Sequence, residues 1–332
     1  MVYLYQNKET LPTFIAKHLL PLQLFTRIHS INRYRSNTYV KREDELSASI
    51  VGSKYRKYAS IIPFLKQQNF SEVAIIGGEN SNNIVGILQF LNEHNLTAKP
   101  FLLKQNQHNL RGNSLWLRLL CPENEIYWIE RKDWTRVNDI AYAYCNRQTH
   151  KTFVLEEGGN HESALWGAMT LAIDILRNEQ QNSLNFSDIF IDSGTGITSI
   201  AMILGFAVMQ EHNRNFHITM IAGNESTYRN LLQKYTSYIE NTLSTTIDTS
   251  KYNITFHTPP TAKSFGAVNT TVLNEIQLIA RTTGMLVDPI YSAKHFLTAK
   301  NTVTQNSPSL LIFNGSSFGL AGFQEKIEQK IK

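Results

Sequence analysis

From about Glu72 onward, short apolar runs alternate along the chain with longer stretches of helical spacing. Residues 73–76, 126–129, 153–155, 189–191, 218–221 and 310–313 are the runs, and their continuous apolar character fits strands covered on both faces. Between them Ile84, Ile87, Leu88 and Leu91 fall at i, i+3, i+4 and i+7, and Leu165, Ala168, Met169, Ala172 and Ile173 repeat that pattern. Each set makes one apolar helix face. Residues 200–209 are almost wholly apolar over about half the length of a bilayer crossing, which predicts a helix buried on all sides and no membrane span. Apolar strands separated by helices predict an α/β protein with parallel sheets. The polar stretches 178–187 and 241–253 read as surface loops, and no Pro/Gly/Ser-rich linker divides the chain.

With 332 residues, 42% of them apolar, the chain can bury the core of one large or two ordinary domains. A net charge of +5 is modest, and the basic cluster at 54–57 is too short for a nucleic-acid arm. It reads as a solvated or anion-facing segment. Cys121 and Cys145 are the only cysteines and form no paired motif, so a reducing compartment, the cytoplasm, is expected. The first eleven residues lack the basic and apolar regions of a secretory signal. His161-Glu162 begins like a zinc-protease motif, but Leu165 stands where the second histidine belongs, and no metal site is expected.

Two strand-to-helix junctions carry candidate chemistry. Ser193, Gly194, Thr195, Gly196, Ile197 and Thr198 follow one apolar strand and open the apolar helix. Glycines there let backbone N–H groups converge, and the helix amino terminus adds positive potential, as a phosphate requires. An ordinary capped turn explains the residues equally well. The loop is neither a Walker A loop nor a dinucleotide fingerprint. The second junction runs through Gly77-Gly78-Glu79-Asn80 to Ser81, Asn82 and Asn83, three polar side chains where one would suffice as a cap.

Tyr39-Val40-Lys41-Arg42-Glu43-Asp44 followed by Gly52-Ser53-Lys54-Tyr55-Arg56-Lys57 resembles the fold-type II pyridoxal-phosphate enzymes, in the family of aminocyclopropane-carboxylate deaminase and D-cysteine desulfhydrase. The likeness continues through Gly77-Gly78, Ser81-Asn82, Gly112-Asn113, Gly158-Gly159, the 193–198 loop and Gly284-Met285-Leu286 leading to Asp288-Pro289-Ile290-Tyr291. The resemblance implies a two-domain fold related to the tryptophan synthase β subunit. Residues 1–57 and 166–332 would form the larger, cofactor-binding domain and residues 58–165 the smaller one. It also implies pyridoxal 5'-phosphate as cofactor, with Lys54 as the Schiff-base lysine and Asn82 beside the ring oxygen. The 193–198 loop would hold the phosphate, and Asn314 would stand in for a threonine beneath the ring. Ser81 would face the substrate carboxylate and Tyr291 the reacting carbon, with Asn83 and Phe265 also lining the substrate's place.

Several positions depart from the family's pattern. Ser292 falls where the deaminases carry a glutamate opposite the pyridine nitrogen and the desulfhydrases a threonine, and a hydroxyl there would leave the ring neutral. Phe265 replaces a second active-site tyrosine, Ser53 a usual asparagine, and Asn314-Gly315-Ser316-Ser317 is a diluted Thr-Gly-Gly segment. These changes favour an α,β-eliminating lyase or hydrolase acting on a small amino acid such as D-cysteine, giving a 2-oxo acid, ammonia and sulfide. The alternatives are 1-aminocyclopropane-1-carboxylate deaminase and a pyridoxal-phosphate-binding protein with little activity. A homodimer is the oligomer the resemblance implies, with no nucleic-acid or membrane partner.

Overall fold

The computed structural model describes residues 11–49, 52–104, 110–302, 307–315 and 317–331; the amino-terminal ten residues and Ser316, both used in the sequence reading, lie outside them. Ten strands form among the described residues: β1 (Ile28–Ser30), β2 (Thr38–Lys41), β3 (Glu72–Gly78), β4 (Thr97–Leu103), β5 (Tyr127–Ile129), β6 (Thr152–Leu155), β7 (Asp188–Ser193), β8 (Asn215–Met220), β9 (Asn253–His257) and β10 (Ser309–Ile312). They make a six-stranded sheet ordered β1-β2-β10-β7-β8-β9 and a four-stranded sheet ordered β5-β4-β3-β6. All neighbours are parallel except β1 and β2. Parallel neighbours need crossover connections, and helices supply them on the sheet faces.

The six apolar runs lie within or against β3, β5, β6, β7, β8 and β10. Four strands carry no such run. In β4 the apolar residues are interrupted by Lys99 and Pro100, yet β4 pairs with β3 from Thr97 to Leu103, while β5 joins it only from Phe101. Strand β9 lies at the sheet edge, where one side needs no partner and polar residues are tolerated. The helix expected at 200–209 is Ile197–Val208, buried from Ser199 through Ala207. Helix Ser163–Asn182 packs against it and against helix Lys54–Gln67.

Two polar features are placed differently from the sequence reading. Residues 178–182 continue helix Ser163–Asn182 instead of forming a surface loop, because Asn178 and Glu179 have buried partners. Asn178 accepts from Lys41 Nζ (2.6 Å), and Glu179 pairs with Arg214 (2.8 Å). Helix Glu225–Leu243 likewise takes the start of the second polar stretch. The basic cluster at 54–57 is also not solvated: Arg56 is fully buried and Lys57 nearly so. Arg56 reaches Glu43 (2.6 and 2.7 Å), Asp174 (2.7 Å), the Leu24 carbonyl (2.7 Å) and Thr170 (2.9 Å). Burial opposes its charge, but Glu43 and Asp174 more than offset this and raise its pKa. That network ties the helix carrying Lys54 to β2 and to helix Ser163–Asn182.

Candidate active site

The carboxyl ends of the strands open on a cavity of about 920 Å³. Strand ends are where open α/β sheets bind ligands. Lys54 enters from the first turn of helix Lys54–Gln67, Ser81, Asn82 and Asn83 from the β3 junction, and residues 193–198 from the β7 junction. Asp288, Tyr291 and Asn314 complete the lining described by these elements. Gly52 sets the approach of Lys54: at φ 49° it lies so close to Asn314 that a Cβ would stand 1.8 Å from the Asn314 carbonyl oxygen. Only glycine allows both.

The Lys54 amine has no hydrogen-bond partner among the described residues and stands 5.7 Å from the Tyr291 ring centroid. Burial lowers its pKa against the pull of Asp192 and then Asp288, favouring the neutral amine. Lys57 also lines the cavity, but its amine donates to the Gly158 carbonyl (2.6 Å). Its pKa is held well below the usual range by burial and then by Lys54. Of the two lysines, Lys54 keeps a free amine.

At the β3 junction, Ser81 caps helix Asn82–Glu93, its hydroxyl accepting from Asn83 N (3.1 Å), and it still lines the cavity. Asn82 Oδ1 accepts from Asn113 Nδ2 (2.6 Å), while the Asn82 amide nitrogen has no acceptor among the described residues. Asn83 is buried; its amide satisfies its surroundings when its nitrogen faces the Gly158 carbonyl (3.2 Å) and its oxygen faces Gly159 N (3.2 Å). Asn83 is therefore occupied in holding the Gly158-Gly159 turn.

At the β7 junction, Gly196 precedes helix Ile197–Val208 without any side-chain cap. The Ser199 hydroxyl turns back to donate to the Gly196 carbonyl (2.9 Å) and is itself held by the Tyr228 hydroxyl (3.0 Å). The first N–H groups of the helix are thus left to the cavity. Ser193 Oγ and Asn314 Oδ1 are buried atoms of cavity-lining residues with no partner among the described residues. The Ser193 hydroxyl, beside an uncapped helix terminus, matches the donor set of a phosphate-bearing ligand, and the free amine of Lys54 matches its aldehyde. On these observations, the residues present fit pyridoxal phosphate.

The Asp288 carboxylate accepts from the backbone N–H groups of Ile290 (3.0 Å), Tyr291 (2.8 Å) and Ser292 (3.2 Å), which fixes the Tyr291 ring over Lys54. Burial, and then Asp192, Asp288 and Glu157, raise the Tyr291 pKa, so its phenol keeps its proton. Ser292 is not among the residues facing the cavity; its hydroxyl donates to Asp288 Oδ2 (2.6 Å). Gly315 makes room for that contact, since a Cβ there would lie 2.1 Å from Ser292 Oγ. Phe265 is 62% exposed and packs edge-on to Tyr291, with ring centroids 5.9 Å apart, at the cavity's open side.

The sequence reading passed over Asp192. This buried carboxylate lines the cavity, accepts from Asn314 Nδ2 (3.1 Å), and has its pKa raised to about 6 by burial and then by Asp288. An acid at the end of an apolar strand, directly before a glycine-rich turn, was the available signal. Among the described residues, no cluster of three or more His, Cys, Asp or Glu is placed to hold a metal, and no helix is long and apolar enough to cross a membrane.

A bifunctional D-cysteine desulfhydrase/1-aminocyclopropane-1-carboxylate deaminase of Arabidopsis thaliana, a mitochondrial protein, is 24% identical over 97% of this chain and 85% of its own length. A D-cysteine desulfhydrase of Serratia proteamaculans is 22% identical over 87% of this chain and 89% of its own. A crystal structure of an aminocyclopropane-carboxylate deaminase homologue superposes with a TM-score of 0.80 at 19% identity, covering 94% of this chain and 96% of that one. The chain has the fold-type II architecture of this deaminase and desulfhydrase group. No protein-family model matches it. The fold-type II likeness spans nearly the whole chain, so both sheets and the cavity between the strand ends fall within it.

Proposed function

We propose that the protein is a pyridoxal-phosphate-dependent lyase that eliminates sulfide from a small amino acid, with D-cysteine as the leading substrate. The observation that carries this reading is the free amine of Lys54, shifted toward neutrality, opening on a cavity that an uncapped helix terminus also lines. Similarity to desulfhydrases along most of the chain supports it.

The cofactor, when bound, supplies an electron sink for negative charge at the substrate's α-carbon. The protein's residues do the rest. The Lys54 amine takes the α-proton, a role that requires the neutral form favoured by its burial. The Ser81 hydroxyl and the Asn82 amide nitrogen orient the substrate carboxylate at the start of their helix. The Tyr291 phenol, protonated and held over Lys54, delivers a proton to the departing sulfur. Phe265 shields the open side without offering a second hydroxyl. D-cysteine and water give the 2-oxo acid, ammonia and hydrogen sulfide. This is a lyase's reaction and not a hydrolase's, because water enters only after the carbon–sulfur bond has broken. Two unpaired cysteines, one buried and one half-buried, suit the reducing cytoplasm in which we place the enzyme.

Borohydride treatment of protein saturated with pyridoxal phosphate, followed by peptide mass mapping, should find the phosphopyridoxyl group on Lys54. Sulfide and 2-oxo acid should then appear from D-cysteine in preference to L-cysteine, D-serine and 1-aminocyclopropane-1-carboxylate. Turnover of the cyclopropane substrate alone would replace desulfhydration by deamination. Silence on all four substrates with cofactor bound would leave a binding protein.

A further inference from the structure

We propose that Asp192, rather than Ser292, is the residue this chain presents to the ring nitrogen of bound pyridoxal phosphate. The inference rests on the cofactor reading above and concerns one atom of the ring. The ring must span two anchors, the Lys54 amine and the 193–198 loop. Asp192 is the last residue but one of the strand from which that loop departs, and its carboxylate lies within electrostatic reach of Lys54. A ring held between those anchors lies beside it.

The competing groups are already engaged. Ser292 is not among the residues that line the cavity and gives its hydroxyl proton to Asp288. Asp288 accepts from three backbone N–H groups and from that hydroxyl, so its lone pairs are taken. Asp192 has one side-chain hydrogen bond among the described residues, from Asn314. The same Asn314 leaves its own Oδ1 buried and without a partner among the described residues, so the carboxylate and the amide together form a polar corner with acceptor capacity that no described donor fills. Burying a carboxylate without a hydrogen-bonded cation is unfavourable, and the ring nitrogen is the one basic atom the ring can bring there. Its protonated form would pair with Asp192, strengthening the ring as an electron sink. The neutral ring inferred from the hydroxyl at position 292 then no longer follows, and harder substrates than D-cysteine come within reach.

The test is ¹⁵N NMR of intact protein reconstituted with ring-¹⁵N pyridoxal phosphate, with the Lys54 adduct verified by borohydride mapping on the same samples. At pH 7.5 the unmodified protein should show a protonated ring nitrogen. Asp192→Asn and Asp192→Ala should each lower the nitrogen's titration midpoint by at least about one pH unit, a tenfold loss of the protonated form at pH above both midpoints, while retaining the adduct. Asp288→Asn should leave the resonance in the protonated range. An unprotonated nitrogen in the unmodified protein overturns the proposal without any variant, as does a resonance that ignores Asp192 or follows Asp288. Absence of any Lys54 adduct in the unmodified protein would instead remove the cofactor reading, and this inference with it.

Discussion

Two buried ionic groups hang from one turn of one helix, and they differ in how fully their charges are answered. Arg56 and Lys41 meet Glu43, Asp174, Asn178 and backbone carbonyls, and among these groups only Asp174 Oδ1 lacks a hydrogen bond. Lys54, two residues before Arg56, meets no hydrogen-bond partner among the described residues, and of the two carboxylates that act on it Asp192 has one side-chain donor, Asn314. Burial acts on both groups. Where partners converge, they oppose burial: the Arg56 pKa is raised, and Lys41, which burial pushes down to about 8, is pulled back toward its charged form by Asp174 and Glu43. Where they do not, burial pushes Lys54 toward the neutral amine and Asp192 toward the protonated acid. The first group is a fastening and the second a reactive site, although both are built from the same residue types.

The comparison breaks most directly at Lys54. Lys54→Ala should abolish the borohydride-trapped adduct and lower kcat/KM on D-cysteine by at least about 10³-fold, about 4 kcal/mol, with little change in denaturant midpoint. Asp174→Asn should do the reverse. It leaves Arg56 and Lys41 short of a buried counter-charge, so urea unfolding should show a loss of about 3–5 kcal/mol, and a loss below about 1 kcal/mol would mean the network contributes nothing.

Asp192 gives an effect that vanishes at low pH. In the cofactor-free protein its carboxyl ionises near about 6 when folded, against an ordinary value of 3.8. The folded state therefore binds the extra proton between those values, and stability falls as pH rises through the window. Asp192→Asn should remove that loss, stabilising the cofactor-free protein by up to about 3 kcal/mol at pH 8 and by nothing below about pH 4. Unfolding midpoints across that range decide it, and a gain independent of pH would point to packing instead. Ser81→Ala should cost a modest amount of stability, about 1 kcal/mol from the lost helix cap. A rise in KM for D-cysteine beyond what that destabilisation explains would separate substrate contact from capping.

Much of this comparison was legible along the chain, and the parts that were not share a cause. The apolar runs marked the buried strands, because a strand covered on both faces leaves no room for alternation. They missed β4, whose Pro100 precedes the point where β5 joins, and β9, whose open edge relaxes the demand for apolar residues. The cluster at 54–57 looked solvated because basic residues usually are, and the polar run at 178–182 looked like a loop for the same reason. Arg56, Asn178 and Glu179 are buried because partners from distant parts of the chain meet them: Arg56 reaches Asp174, Lys41 reaches Asn178, and Arg214 reaches Glu179.

The sequence by itself determined the α/β class, the helix faces, the glycine-rich turn before an apolar helix and, through its resemblance, the singling out of Lys54. These follow from spacing and residue type over short stretches. Only the tertiary structure decided that Ser292 turns toward Asp288, that Asn83 is consumed in holding the Gly158-Gly159 turn, and that Asp192 and Lys54 share one cavity. Which polar side chains are answered depends on groups that meet only when the strand ends and helices are packed. A free amine can therefore be told from a fastened one only by what stands next to it in space.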